Sequence, residues 1–130
     1  MNPVTQEWVD KAEGDFATAN REFSATVDPN FDAVCFHSQQ CAEKYLKACL
    51  HKANIEFPRT HDLLTLMDLL APNSKSPKIS RLDLQKLTLS SVSLRYPGFF
   101  ANKKAVRWSL GQCRKVRRFC RQLLELPGRR

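Results

Sequence analysis

At 130 residues, 42% of them hydrophobic, the chain has the size and composition of one globular domain, which excludes a disordered class. No apolar run approaches the ~20 residues that a membrane helix needs, and the polar stretch from Met1 to Asp15 has neither an apolar leader core nor an Arg-rich transit pattern, so a cytoplasmic location is expected. The net charge of +8 is concentrated: residues 101–130 hold ten Lys and Arg against one acid, Glu125, while the first hundred hold eleven basic residues against twelve acids.

Helical periodicity runs through the chain, and no strand alternation is bounded by hairpin turns. Trp8, Ala12, Phe16, Ala19 and Phe23 recur at spacings of four, four, three and four, predicting a first helix that starts near Thr5 and fades before Asp28-Pro29. A second spans about Phe31 to Asn54, with Val34, Cys41, Tyr45, Cys49 and Leu50 on its apolar stripe and Asp32, Gln39, Glu43, Lys47 and Lys52 opposite, where they read as a solvated face. A third opens near Thr60 as N-cap and runs through Leu63, Leu66, Met67 and Leu70 to Pro72, apolar on more than one side and therefore deep. Residues 71–77 read as a loop. A fourth helix covers Ile79 to Leu94, where alternating leucines also permit a strand without a partner, and Pro97-Gly98 breaks it. The last spans Lys103 to Leu126, with Ala105, Trp108, Cys113, Val116, Phe119, Cys120, Leu123 and Leu124 inward. Short connections favour an all-α, up-down bundle of four to five helices, forming one domain over residues 1–130.

The five cysteines, Cys35, Cys41, Cys49, Cys113 and Cys120, are odd in number and contain no Cys-x-x-Cys pair. They read as buried free thiols rather than a disulfide framework. His37 and Cys41 share a helical face, but a third and fourth ligand are missing nearby, so neither a metal nor another cofactor is expected.

Three motifs stand in order along the chain: Phe36-His-Ser-Gln-Gln-Cys-Ala-Glu-Lys-Tyr-Leu-Lys-Ala, Phe57-Pro-Arg-Thr-His-Asp-Leu, and Arg95-Tyr-Pro-Gly. Together they resemble the HEPN family (higher eukaryotes and prokaryotes nucleotide-binding), whose second helix carries Gln-Gln, Glu-Lys and Leu-Lys-Ala after an aromatic residue. The resemblance implies a helical bundle, often dimeric and often encoded beside a minimal nucleotidyltransferase, with some relatives acting as toxin-type ribonucleases. The ribonuclease branch uses an Arg followed four to six positions later by a His late in the chain, and this chain has no His after His61. Relatives also often carry a Tyr and a Glu where Ser90 and Ser93 stand.

Gln40, Lys44 and Lys47 lie on adjacent faces of the second helix, where they could share a phosphate-binding patch or simply form a solvated face. His61 stands at a helix start that favours anions; it is also the residue suited to acid–base work, and the bland alternative packs it beneath the second helix. Arg95 and Tyr96 pair a guanidinium with a phenol, a phosphate-and-base platform that could equally close the helix end. Arg107, Arg114, Lys115, Arg117, Arg118 and Arg121 form the basic face of the last helix, suited to RNA or to an acidic protein. The expected role is that of a non-catalytic subunit of a toxin–antitoxin-like pair, homodimeric, bound to a nucleotidyltransferase and associated with nucleotide or RNA. The alternatives are a metal-independent ribonuclease built on His61 and Arg95, and a purely structural interaction module.

Overall fold

The computed structural model describes residues 1–70 and 79–127. Among these there are five α-helices and no strand: α1 Pro3–Ser24, α2 Phe31–Lys52, α3 Leu63–Leu70, α4 Arg81–Ser93 and α5 Lys103–Leu123. The all-α bundle expected from periodicity is therefore present, and the fourth segment is a helix rather than a strand. None of the described helices is long and apolar enough to cross a membrane. The predicted loop at 71–77, including the stop at Pro72, lies outside the described residues, as do Arg129 and Arg130.

Each helix starts where a side chain satisfies the first free backbone donors. Asn2, followed by Pro3 in the first turn, accepts from the Val4 amide at 2.8 Å, so α1 begins ahead of Thr5. Thr5 is instead buried, with its hydroxyl 2.7 Å from His51 Nδ1. Asn30 and Asn102 cap α2 and α5 in the same way, and Ser80 caps α4. The third helix starts at Leu63, later than the Thr60 start read from sequence. Asp62 is the acceptor there, taking the Leu64 amide at 3.1 Å and the Thr65 hydroxyl at 2.9 Å.

Two helices stop earlier than the periodicity indicates. Asn54 and Glu125 hold φ of 57° and 58°, and the residue after each donates back across the turn, Ile55 to the Leu50 carbonyl and Leu126 to that of Arg121, both at 2.9 Å. These left-handed caps end α2 at Lys52 and α5 at Leu123.

The second helix is the hub, packing against α1, α3, α4 and α5. Its contact with α1 is close because Ala12 and Ala19, both fully buried, stand at the centre of the α1 stripe, while Trp8 and Phe16 flank it half-buried. Tyr45, Leu46, Leu50, Leu63, Leu66, Leu84, Leu87 and Val116 fill the main core. On α5 the inward stripe is rotated from the expected one: Val106, Ser109 and Leu110 are buried, whereas Ala105 and Trp108 are only partly covered. All five thiols are free and buried. The stretch before α5 is pinned to the start of α2 by the Ala101 amide, which donates to Asp32 at 2.7 Å.

Candidate functional site

Two polar regions carry the candidate residues. The first lies along α2, where positions 37, 40, 44 and 47 recur at three and four residues, with Gln39 and Glu43 adjacent. Although this face reads as solvated in sequence, Gln39 is fully buried, Glu43 is 3% exposed and Lys47 is 8% exposed. Lys47 donates to Glu43 Oε2 at 3.0 Å and lies over the Trp8 and Phe57 rings at 5.6 and 5.9 Å. The other Glu43 oxygen meets His61 Nδ1 at 2.9 Å and Gln39 Nε2 at 3.2 Å. Gln39 also donates to the His61 carbonyl at 2.9 Å, fixing the turn before α3 onto α2.

His61 therefore does not pack beneath α2. Its side chain is 67% exposed and held by one nitrogen to a carboxylate that is 4% exposed. A buried carboxylate on Nδ1 orients an imidazole and leaves Nε2 toward solvent. Lys44 points the other way, donating to Asp15 Oδ2 at 2.6 Å, and the second oxygen of Asp15 meets His37 Nδ1 at 2.7 Å. Gln40 donates to Gln39 Oε1 at 2.7 Å. Gln40, Lys44 and Lys47 thus share a band on α2, but each of the two lysines is matched to its own acid, and they do not converge.

At the far end of this band Arg95 is exposed, with its guanidinium 5.3 Å from the Phe36 ring centroid. Tyr96 is 61% exposed, so it does not pack against the bundle end. No hydrogen bond or ion pair joins Arg95 to His61 among the described residues.

The second region is α5. Arg107, Arg114, Lys115 and Arg118 are exposed, joined by Lys103 and Lys104 in the first turn, which belong to the same charge excess but not to the candidate set. None of these six forms an ion pair among the described residues. Arg117 and Arg121 must be removed from the expected surface. Arg117 is 6% exposed and holds Glu13 with two bonds of 2.7 and 2.9 Å, its guanidinium 4.2 Å from the Phe16 centroid. Arg121 donates to the Tyr45 hydroxyl at 2.9 Å and to the Pro127 carbonyl at 2.7 Å.

The Tyr45 hydroxyl donates in turn to Glu13, closing a polar knot among α1, α2 and α5. Partial burial alone would raise the Glu13 carboxyl, but the bonds from Arg117 and Tyr45 outweigh it and hold its pKa below the ordinary 4.5. Burial and Glu13 together push the Tyr45 phenol upward. Glu13 lies 104 positions before Arg117, and no local pattern could have announced that pairing.

His37 and Cys41, neighbours on one helical face, are also separated in role: His37 meets Asp15, whereas Cys41 is fully buried beside Cys113. Compared with known families, residues 5–123 match the model described as the HEPN domain. No curated protein and no solved structure matches the chain.

Proposed function

The chain belongs to the HEPN domain family, and from that premise, which supports a nucleotide- or RNA-associated function, we propose that it is a non-catalytic subunit presenting a polyanion-binding face beside a protein partner. The observation that carries this reading is the row of exposed cations on α5 that form no ion pair among the described residues, in a helix whose own residues contain no acid. Charge of that kind exceeds what solubility needs and suits phosphate.

A protein partner is supported by a different surface. Leu82, Leu89 and Val92 recur along the outer face of α4 at 59%, 62% and 44% exposure, and Tyr96, Phe99 and Phe100 extend the apolar area through the following turn. Six large apolar side chains exposed within one stretch of chain are characteristic of protein–protein contact. A minimal nucleotidyltransferase is the partner that the family resemblance favours, in a toxin–antitoxin-like pair, with a homodimer as the second arrangement for the same face. A tagged pull-down from the native cell, with bound proteins identified by mass spectrometry, tests this. Stoichiometric recovery of a nucleotidyltransferase, lost in a Leu89→Ser/Phe100→Ser variant, is the expected result; recovery of the chain without any partner would overturn the subunit reading.

One observation favours a second reading, a metal-independent ribonuclease with a non-standard site: the exposed His61 imidazole oriented by buried Glu43 could serve in acid–base chemistry. Arg95, its expected companion, lies over Phe36 instead. A His61→Ala variant that cleaves a sensitive RNA as fast as the parent would remove this reading. If neither RNA nor nucleotide binds at physiological salt, the chain is a structural interaction module.

A further inference from the structure

Between α1 and α5 runs an open groove of about 570 Å³, with Phe16, Ala17 and Asn20 on one wall and Arg114 and Arg118 on the other. Its floor is the Glu13–Arg117 pair. Both Glu13 oxygens accept from Arg117, so the acid in the groove is already neutralised. Asn20 fixes the nearer cation: its amide donates to the Phe16 carbonyl at 2.8 Å, and its Oδ1 accepts from Arg114 Nη2 at 3.1 Å. One of the five N–H groups of Arg114 is thus used for orientation and the others remain for an anion. Arg118, one helical turn on, is exposed and makes no hydrogen bond or ion pair among the described residues.

We infer that this groove is a phosphodiester-binding site for single-stranded RNA, in which Arg114 and Arg118 clamp the backbone. The inference rests on the RNA-associated reading above and assigns it to particular residues.

Three features select an extended strand. Lys103, Arg107, Arg114 and Arg118 are spaced by four, seven and four residues, which places them on one stripe of α5. At 1.5 Å per residue that stripe is roughly 22 Å long, more than one nucleotide spans and suited to a linear polyanion. The groove is open at its sides and has the small side chain of Ala17 on its α1 wall, so a backbone can lie along it without displacing a core residue. Arg117, stacked on Phe16 and bonded to Glu13, belongs to the floor of the groove and not to the clamp.

The test is fluorescence anisotropy of the full chain with a labelled octauridine RNA across a salt series. Arg114→Gln/Arg118→Gln should weaken binding at least tenfold and flatten the salt slope by about 1.4, the value for two lost single-strand phosphate contacts. Ala17→Leu, which narrows the groove without changing charge, should weaken it several-fold. Lys11→Gln/Arg59→Gln, equal in charge change and on neither wall of the groove, should stay within about twofold of the parent under the same screening. If the parent binds while the arginine variant and Ala17→Leu bind as the remote control does, the groove is wrong and RNA binding lies elsewhere. A parent that binds no RNA at low salt overturns the groove and the RNA-associated reading together. Displacement of the octamer by uridine monophosphate at comparable concentration would overturn the strand assignment in favour of a mononucleotide.

Discussion

The polar faces of α2 and α5 contain similar residue types and do different work. On α2 each lysine of the candidate band meets a carboxylate: Lys44 with Asp15 and Lys47 with Glu43. The acids come from the same helix or its neighbour, so the charges cancel inside the bundle and fix the packing of α1, α2 and the turn before α3. On α5 the acid is missing, and only Arg117 and Arg121 are drawn inward, by Glu13 and Tyr45. The rest of its cations stay in water. Charge available to a ligand is therefore the charge the fold has not already used, and that criterion separates two faces that a helical wheel makes look alike.

The comparison predicts that damage to the α2 face appears in stability and damage to the α5 face in binding. The largest effect is expected for Glu43→Ala, which strands Lys47 with a side chain 10% exposed and removes an acceptor from Gln39. Breaking such a buried pair from one side costs about 3–5 kcal/mol, readable in urea unfolding. Glu43→Leu/Lys47→Met should recover most of that loss, because it removes both charges. A double variant as unstable as Glu43→Ala would show that the pair has a further structural role.

A smaller effect is expected at the α1–α5 knot, where Glu13→Gln should cost roughly 1–2 kcal/mol at neutral pH. The figure is reduced because about a third of the Glu13 side chain (36%) meets solvent. The folded pKa of Glu13 lies below the ordinary 4.5, so its contribution is full above that value and is lost as the pH falls through the folded one. The stability gap between parent and variant should consequently close on acidification, and a gap constant from pH 7 to pH 2 would contradict the ion-pair account.

His61→Ala removes one bond from Glu43 to a mostly exposed ring and should cost only about 1 kcal/mol in the same unfolding assay. The smallest change is expected for Arg107→Ala/Lys115→Ala on α5, within about 0.5 kcal/mol of the parent in thermal or urea unfolding. A large loss there would mean that this face is structural after all, and the distinction between the two helices would fail.

Helix identity and order were legible because burial imposes a 3.6-residue period on Trp8, Ala12 and Phe16, on Leu63, Leu66 and Leu70, and on Cys113, Val116 and Cys120. Helix ends were less so. Asn54 and Glu125 stop their helices by adopting left-handed backbone, which a glycine would have advertised and these residues do not. The α2 site was half visible: periodicity gathered Gln40, Lys44 and Lys47 on neighbouring positions but said nothing of Asp15 meeting Lys44 or of Trp8 covering Lys47. Arg117 and Arg121 were misread for the same reason, since the partners that bury them lie on α1 and α2.

The buried thiols make the seam between α2 and α5 a reporter of its own opening. Cys41, Cys113 and Cys120 are fully buried and Cys49 is 4% exposed. Burial, with a neighbouring thiol in each case, pushes Cys41 and Cys120 well above the ordinary thiol range. An alkylating reagent then meets reactive sulfur only while the helices are apart, so the labelling rate in native buffer measures that excursion directly. A strand held between α1 and α5 would slow alkylation by the factor 1 + [L]/Kd, turning these four cysteines into a calorimeter-free gauge of occupancy.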